Sequence, residues 1–67
     1  MNLTERENEV MQLVCEGLTN VEIAKKLFVS THTIKAHVES IFIKLHARNR
    51  ARAVFLYCQQ DPFRVSA

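Results

Sequence analysis

Residues 19–45, TNVEIAKKLFVSTHTIKAHVESIFIKL, decide how the chain folds. Thr19 precedes an apolar-periodic segment and Glu22 stands three residues on, the spacing at which a hydroxyl and a carboxylate satisfy free backbone donors at a helix start. A helix is expected over about residues 20–27, with Ile23 and Leu27 facing a core and Ala24 small enough to let another helix cross closely. Phe28, Val29 and Ser30 follow, and Ser30 caps a second helix over about 31–46. Projected at about 100° per residue, Ile34, Val38, Ile41 and Leu45 fall together as a core stripe with Phe42 at its edge. His32, Ala36, Glu39, Ser40 and Ile43 point the other way, with Lys35 on one flank and Thr33, His37 and Lys44 along the other. Two helices joined by three residues, the second with a donor-rich outer face, form a helix-turn-helix pattern.

The flanking sequence adds one helix on each side. LTERENEV repeats the reciprocal cap with Thr4 and Glu7, so a first helix is expected over about 5–16, burying Val10, Met11, Val14, Cys15 and Leu18, with Gly17 at its end. A last helix is expected from Arg50 to Gln60, stopped by Asp61 and Pro62. Its apolar residues occupy two faces. Ala51, Val54, Phe55 and Cys58 are read as the inner stripe, and Ala53, Leu56, Tyr57 and Gln60 as an outward surface for self-association or docking, the competing reading being incidental surface apolarity. FRVSA, within the tail 61–67, is expected to fray.

Composition agrees with an all-α, compact four-helix domain containing a helix-turn-helix. The chain has 67 residues, 48% of them hydrophobic, with one Gly and one Pro, too few turn residues for a sheet protein of this length. One domain over 1–67, with its core in 3–60, is expected, able to bury about 60% of the surface of its unfolded chain. Cys15 and Cys58 are read as buried reduced thiols, with a disulfide or a metal site as the alternatives. No apolar run approaches the roughly 20 residues of a membrane span and no secretory signal is visible, so no membrane association and a cytoplasmic location are expected.

Charge is divided along the chain. Residues 1–30 hold three basic and five acidic side chains, a net −2, whereas residues 31–67 hold six basic and two acidic, a net +4. The second half can therefore meet a polyanion. The start of the third helix agrees: no acidic residue occurs from Ser30 to Val38, although both earlier helix starts place a glutamate in the first turn. A carboxylate there would be repelled by phosphates, whereas amides and hydroxyls can donate to them, and small Ala36 amid donors and cations suits a major groove. A merely solvated polar face is the competing reading.

LTERENEV, EGLTNVEIAKKLFVS, HTIKAHVESIFIKL and RNRARAV, in this order and spacing, resemble the LuxR/FixJ-type (GerE-like) DNA-binding domain of bacterial transcription regulators, over about residues 3–60. The resemblance implies double-stranded DNA as partner, the third helix in the major groove and the fourth forming a homodimer on a two-fold-related site. It also implies an output domain of a two-component response regulator or a ligand-sensing regulator. Position by position it places Lys35, Ala36 and Glu39 at base edges, joined by outward-facing His32, and Thr31, Thr33, His37 and Lys44 at the DNA backbone, joined by Ser40. Arg50 matches the arginine that opens the last helix, where we expect it to pair with Glu5 or Glu9. Two positions depart from the pattern. His46 stands where glycine is usual, and Glu39 brings an acid to a base-reading position, where it either accepts from a cytosine amine or weakens affinity.

A rival reading is a helical module docking on RNA polymerase or a sensor protein through Leu56 and Tyr57. Enzyme activity, a cofactor and a metal are not expected: His32 and His37 are five apart, off the four-residue spacing of paired helix ligands, and no phosphate-binding glycine loop is present.

Overall fold

Every helix of the computed structural model, which describes residues 3–59, begins where a side chain receives its first free amides. In α1 (Glu5–Cys15), the Glu7 N–H donates to Thr4 Oγ1 at 3.1 Å and the Thr4 N–H returns to Glu7 Oε1 at 2.9 Å. In α2 (Asn20–Leu27), Thr19 and Glu22 do the same at 3.2 and 2.7 Å. Ser30 Oγ opens α3 (Thr31–Leu45) by accepting from the Thr33 N–H at 3.0 Å. Asn49 Oδ1 opens α4 (Arg50–Gln59) by accepting from the Arg52 N–H at 2.8 Å. Gln60, the Asp61-Pro62 stop and the tail 61–67 lie outside the described residues.

α3 packs against each of the other three helices. Its stripe Ile34, Val38, Ile41 and Leu45 is buried as expected and joins Val10, Met11 and Val14 of α1 and Ile23 and Ala24 of α2 in one core. Leu13, not expected on the buried face, also belongs to it. Met11, Ile23, Ile34, Ile41 and Val10 are wholly removed from solvent, each contributing about 1.5–3 kcal/mol of burial. Cys15 and Cys58 are only half-buried.

The helix ends explain the short connections. Gly17 takes φ 92°, natural for glycine, but Phe28 (φ 61°) and His46 (φ 57°) hold the left-handed conformation with full side chains. At Phe28 the chain turns so that the Val29 N–H reaches the Ala24 carbonyl at 3.0 Å. His46 solves the missing-glycine problem by adopting glycine's conformation. Its N–H returns to the Ile43 carbonyl at 3.2 Å and the Ala47 N–H to that of Phe42 at 2.9 Å, so α3 ends at Leu45, one residue before the expected limit.

The faces of α4 are partly exchanged relative to the sequence reading, although Val54, read as inner, does pack against the core. Ala53 and Tyr57, expected outside with Leu56, are buried at 0% and 8% exposure, and Leu56 packs partly against the core. Phe55 and Ala51, expected inside, are exposed. Counting apolar bulk favours Val54, Phe55 and Cys58, but the polar groups decide. The Arg50 guanidinium and the Tyr57 hydroxyl lie on one side of the helix and find partners inward, the hydroxyl donating to Asn8 Oδ1 at 3.2 Å. Ala53, between them, lets the backbones approach.

Candidate nucleic-acid interface

The N-terminal end of α3 leaves the fold with its polar groups outward. Thr31, His32, Lys35, Ala36, Glu39 and Ile43 are exposed, while Thr33 and His37 are half-buried. No acidic side chain stands in the first turn, and the Ser30 and Thr33 hydroxyls are 2.9 Å apart. Neither Lys35 nor Glu39 is in an ion pair among the described residues. All four side chains expected to read bases, His32, Lys35, Ala36 and Glu39, thus lie together on one accessible surface.

The opposite flank differs from expectation. Ser40 is half-buried and Lys44 is exposed, but both are engaged by the first turn of α1. Ser40 Oγ donates to Glu7 Oε2 at 2.9 Å, and Lys44 Nζ donates to Glu7 Oε1 at 2.8 Å. Glu7, itself a capping residue, is 5% exposed. The Lys44 bond and the Thr4 amide, helped by Ser40, hold its carboxyl at about 2, below the ordinary 4.5, against the opposing effect of burial. The sequence identifies Glu7 as a cap, but nothing local shows that its second oxygen meets a helix more than thirty residues away.

Arg50 is a structural tie, to different partners than expected. It donates through Nη1 to Asn20 Oδ1 at 2.9 Å and through Nη2 to the Leu18 carbonyl at 2.6 Å, joining α4 to the α1–α2 connection. Glu9 instead makes an exposed pair with Arg6 at 3.4 Å. On the outer side of α4, Arg48, Asn49, Ala51, Arg52 and Phe55 line a shallow groove, with the Arg52 guanidinium 5.3 Å from the centre of the Phe55 ring. No group of three or more potential metal ligands occurs among the described residues. No described helix is long and apolar enough to cross a membrane.

The family model for bacterial regulatory proteins of the luxR family (GerE) matches residues 1–57, which span the helix-turn-helix and both flanking helices. The chain belongs to the luxR family. Among its relatives, this luxR-family chain is 41% identical over 58 residues to the nitrate/nitrite response regulator protein NarP of Escherichia coli (strain K12), covering 87% of the chain and 27% of NarP. It is 42% identical over 52 residues to the transcriptional regulatory protein LiaR of Bacillus subtilis (strain 168), covering 78% of the chain and 25% of LiaR. In three dimensions it is similar to the response regulator ChrA of a heme-sensing two-component system, with TM-score 0.85 and 40% identity over 90% of this chain and 30% of that one. The chain therefore spans about a quarter of the length of NarP and of LiaR. The family is one of DNA-binding transcription regulators.

Proposed function

We propose that the chain binds double-stranded DNA sequence-specifically as the output domain of a bacterial response regulator or ligand-sensing regulator, with α3 in the major groove. The observation that carries this is the joint exposure of His32, Lys35, Ala36 and Glu39 beside a helix start without acid. Lys35 reads a base edge, Ala36 gives room for close approach, Glu39 accepts from a cytosine amine and His32 lies at the groove edge. Thr31, Thr33 and His37 position the helix on phosphates, and Arg48 and Arg52 neutralise the backbone.

Two copies meet on a two-fold-related site through the outward face of α4, where Ala51 and Phe55 supply apolar surface. The expectation for this contact named Ala53, Leu56, Tyr57 and Gln60; Ala53 and Tyr57 are buried, Leu56 packs partly against the core, and Gln60 lies outside the described residues. The rival reading, docking on RNA polymerase or a sensor through Leu56 and Tyr57, is less well supported, because Tyr57 is buried and Leu56 is only partly exposed.

Selection of duplexes from a random-sequence library by the purified chain tests the function. Enrichment of a two-fold-symmetric sequence, lost on Lys35→Ala while scrambled duplexes bind as before, is the expected result. Equal loss on every duplex removes Lys35 from the reading set, and no enrichment at all overturns sequence-specific binding.

A further inference from the structure

One carboxylate on α1 holds two turns of α3 at once. Glu7 Oε2 takes the Ser40 hydroxyl at 2.9 Å, and Oε1 takes the Lys44 ammonium at 2.8 Å together with the Thr4 amide at 2.9 Å. Ser40 and Lys44 are four residues apart, so they lie one above the other on the helix surface. A group that grips both ends of such a line opposes rotation of α3 about its axis and sliding along it. Hydrophobic contacts in the core are non-directional and resist rotation less sharply.

The clamp adjoins the exposed reading face. Ala36 is one turn before Ser40 on the same line, and Glu39 is the residue before it. Side-chain tips lie about 5–6 Å from a helix axis, so a rotation of 10–20° moves them by roughly 1–2 Å. Positioned contacts tolerate only about 0.5 Å.

We infer that Glu7 is a positioning residue for DNA reading, fixing the azimuth of α3 through Ser40 and Lys44, and that Lys44 serves as its counter-ion rather than as a phosphate ligand. The inference rests on the DNA-binding reading above. It assigns Ser40 and Lys44 away from the DNA backbone, where the family resemblance places them. Base selectivity then depends on a buried carboxylate beside the groove-reading surface, while sequence-independent affinity does not.

Three proteins, the unaltered chain, Glu7→Gln and Lys44→Met, are titrated with the duplex enriched from the random library and with a scrambled duplex of equal length. The titrations are run over a range of salt concentrations, at a temperature where each protein keeps its helical circular dichroism. For Glu7→Gln the ratio of enriched to scrambled affinity is expected to fall about tenfold, the size of one good base contact, while scrambled-duplex affinity does not fall. For Lys44→Met the ratio falls similarly and the salt slope stays within about 0.3 of the unaltered chain, against the roughly 0.9 each neutralised phosphate contributes. A Glu7→Gln ratio within about twofold of the unaltered chain overturns the positioning role. A Lys44→Met slope reduced by about 0.9, with equal weakening on both duplexes, makes Lys44 a phosphate ligand and overturns the counter-ion role. If Glu7→Gln fails to fold, Lys44→Met carries both arms, since its side chain is 35% exposed. An unaltered chain that selects no duplex shows instead that the DNA reading itself is wrong, and the inference falls with it.

Discussion

Replacing Arg50 with alanine removes the tie between α4 and the α1–α2 connection. Two bonds are lost, to Asn20 Oδ1 at 2.9 Å and to the Leu18 carbonyl at 2.6 Å, both from a charged donor. Hydrogen bonds to charged groups contribute about 1.5–3 kcal/mol each, and because Arg50 is only half-buried the lower end applies, giving about 2–3 kcal/mol for the pair. A chain of this length has a total stability of about 3–10 kcal/mol, so the loss is a large fraction of the whole. With an unfolding entropy of about 0.14 kcal/mol/K for 67 residues, the midpoint falls by roughly 10–20 °C. Thermal unfolding followed by circular dichroism measures this. Arg50→Lys, which keeps the charge but not the two-pronged geometry, should fall between the two. A double-mutant cycle assigns the partner: Arg50→Ala should couple to Asn20→Ala by about 1 kcal/mol and to Glu5→Gln or Glu9→Gln not measurably. A midpoint shift below about 3 °C, or coupling to Glu5 or Glu9 in place of Asn20, would refute the geometry described for this residue.

Other substitutions and conditions follow from the same contacts. The Glu7 carboxyl is held at about 2 by Lys44 first, then by the Thr4 amide and Ser40, so its folded value lies below the unfolded one. Its contribution is complete above the ordinary value of 4.5 and is lost as pH falls through about 2. The unaltered chain should therefore lose more stability between pH 5 and pH 2 than Glu7→Gln does, and parallel acid profiles for the two proteins would contradict this. His46→Gly should raise stability by about 0.5–1 kcal/mol in urea unfolding, because glycine adopts the left-handed turn without strain. A lower midpoint would mean that the His46 side chain makes a contact the fold depends on. Tyr57→Ala should cost about 3–5 kcal/mol and half-exposed Phe55→Ala under about 1.5 kcal/mol. The reverse order would contradict this packing of α4 and restore the arrangement read from the sequence.

Much of the fold was legible because its signals are local. The Thr4–Glu7 and Thr19–Glu22 boxes and the Ser30 cap each lie within four residues, and α2 begins and ends where the caps place it. The core stripe of α3 was legible because Ile34, Val38, Ile41 and Leu45 recur at three- and four-residue spacing, the period of one helix face. α4 was misread for the opposite reason. Its two apolar faces are nearly equal, and what separates them is the reach of Arg50 to Leu18 and of Tyr57 to Asn8, contacts spanning 32 and 49 residues. At the candidate interface the exposed set His32, Lys35, Ala36 and Glu39 followed from the helix projection. The engagement of Ser40 and Lys44 by Glu7 did not, since it depends on where α1 crosses α3.

The central claim is that the exposed face of α3 meets DNA. Backbone-amide NMR of the chain titrated with a mixed-sequence duplex at two salt concentrations tests it most directly, because weak sequence-independent binding is both seen and located. Shifts concentrated at Thr31–Ile43, largest near His32, Lys35, Ala36 and Glu39 and diminished at the higher salt, are the predicted result. A titration in which no amide moves, or in which only Arg50–Gln59 responds, would contradict the account.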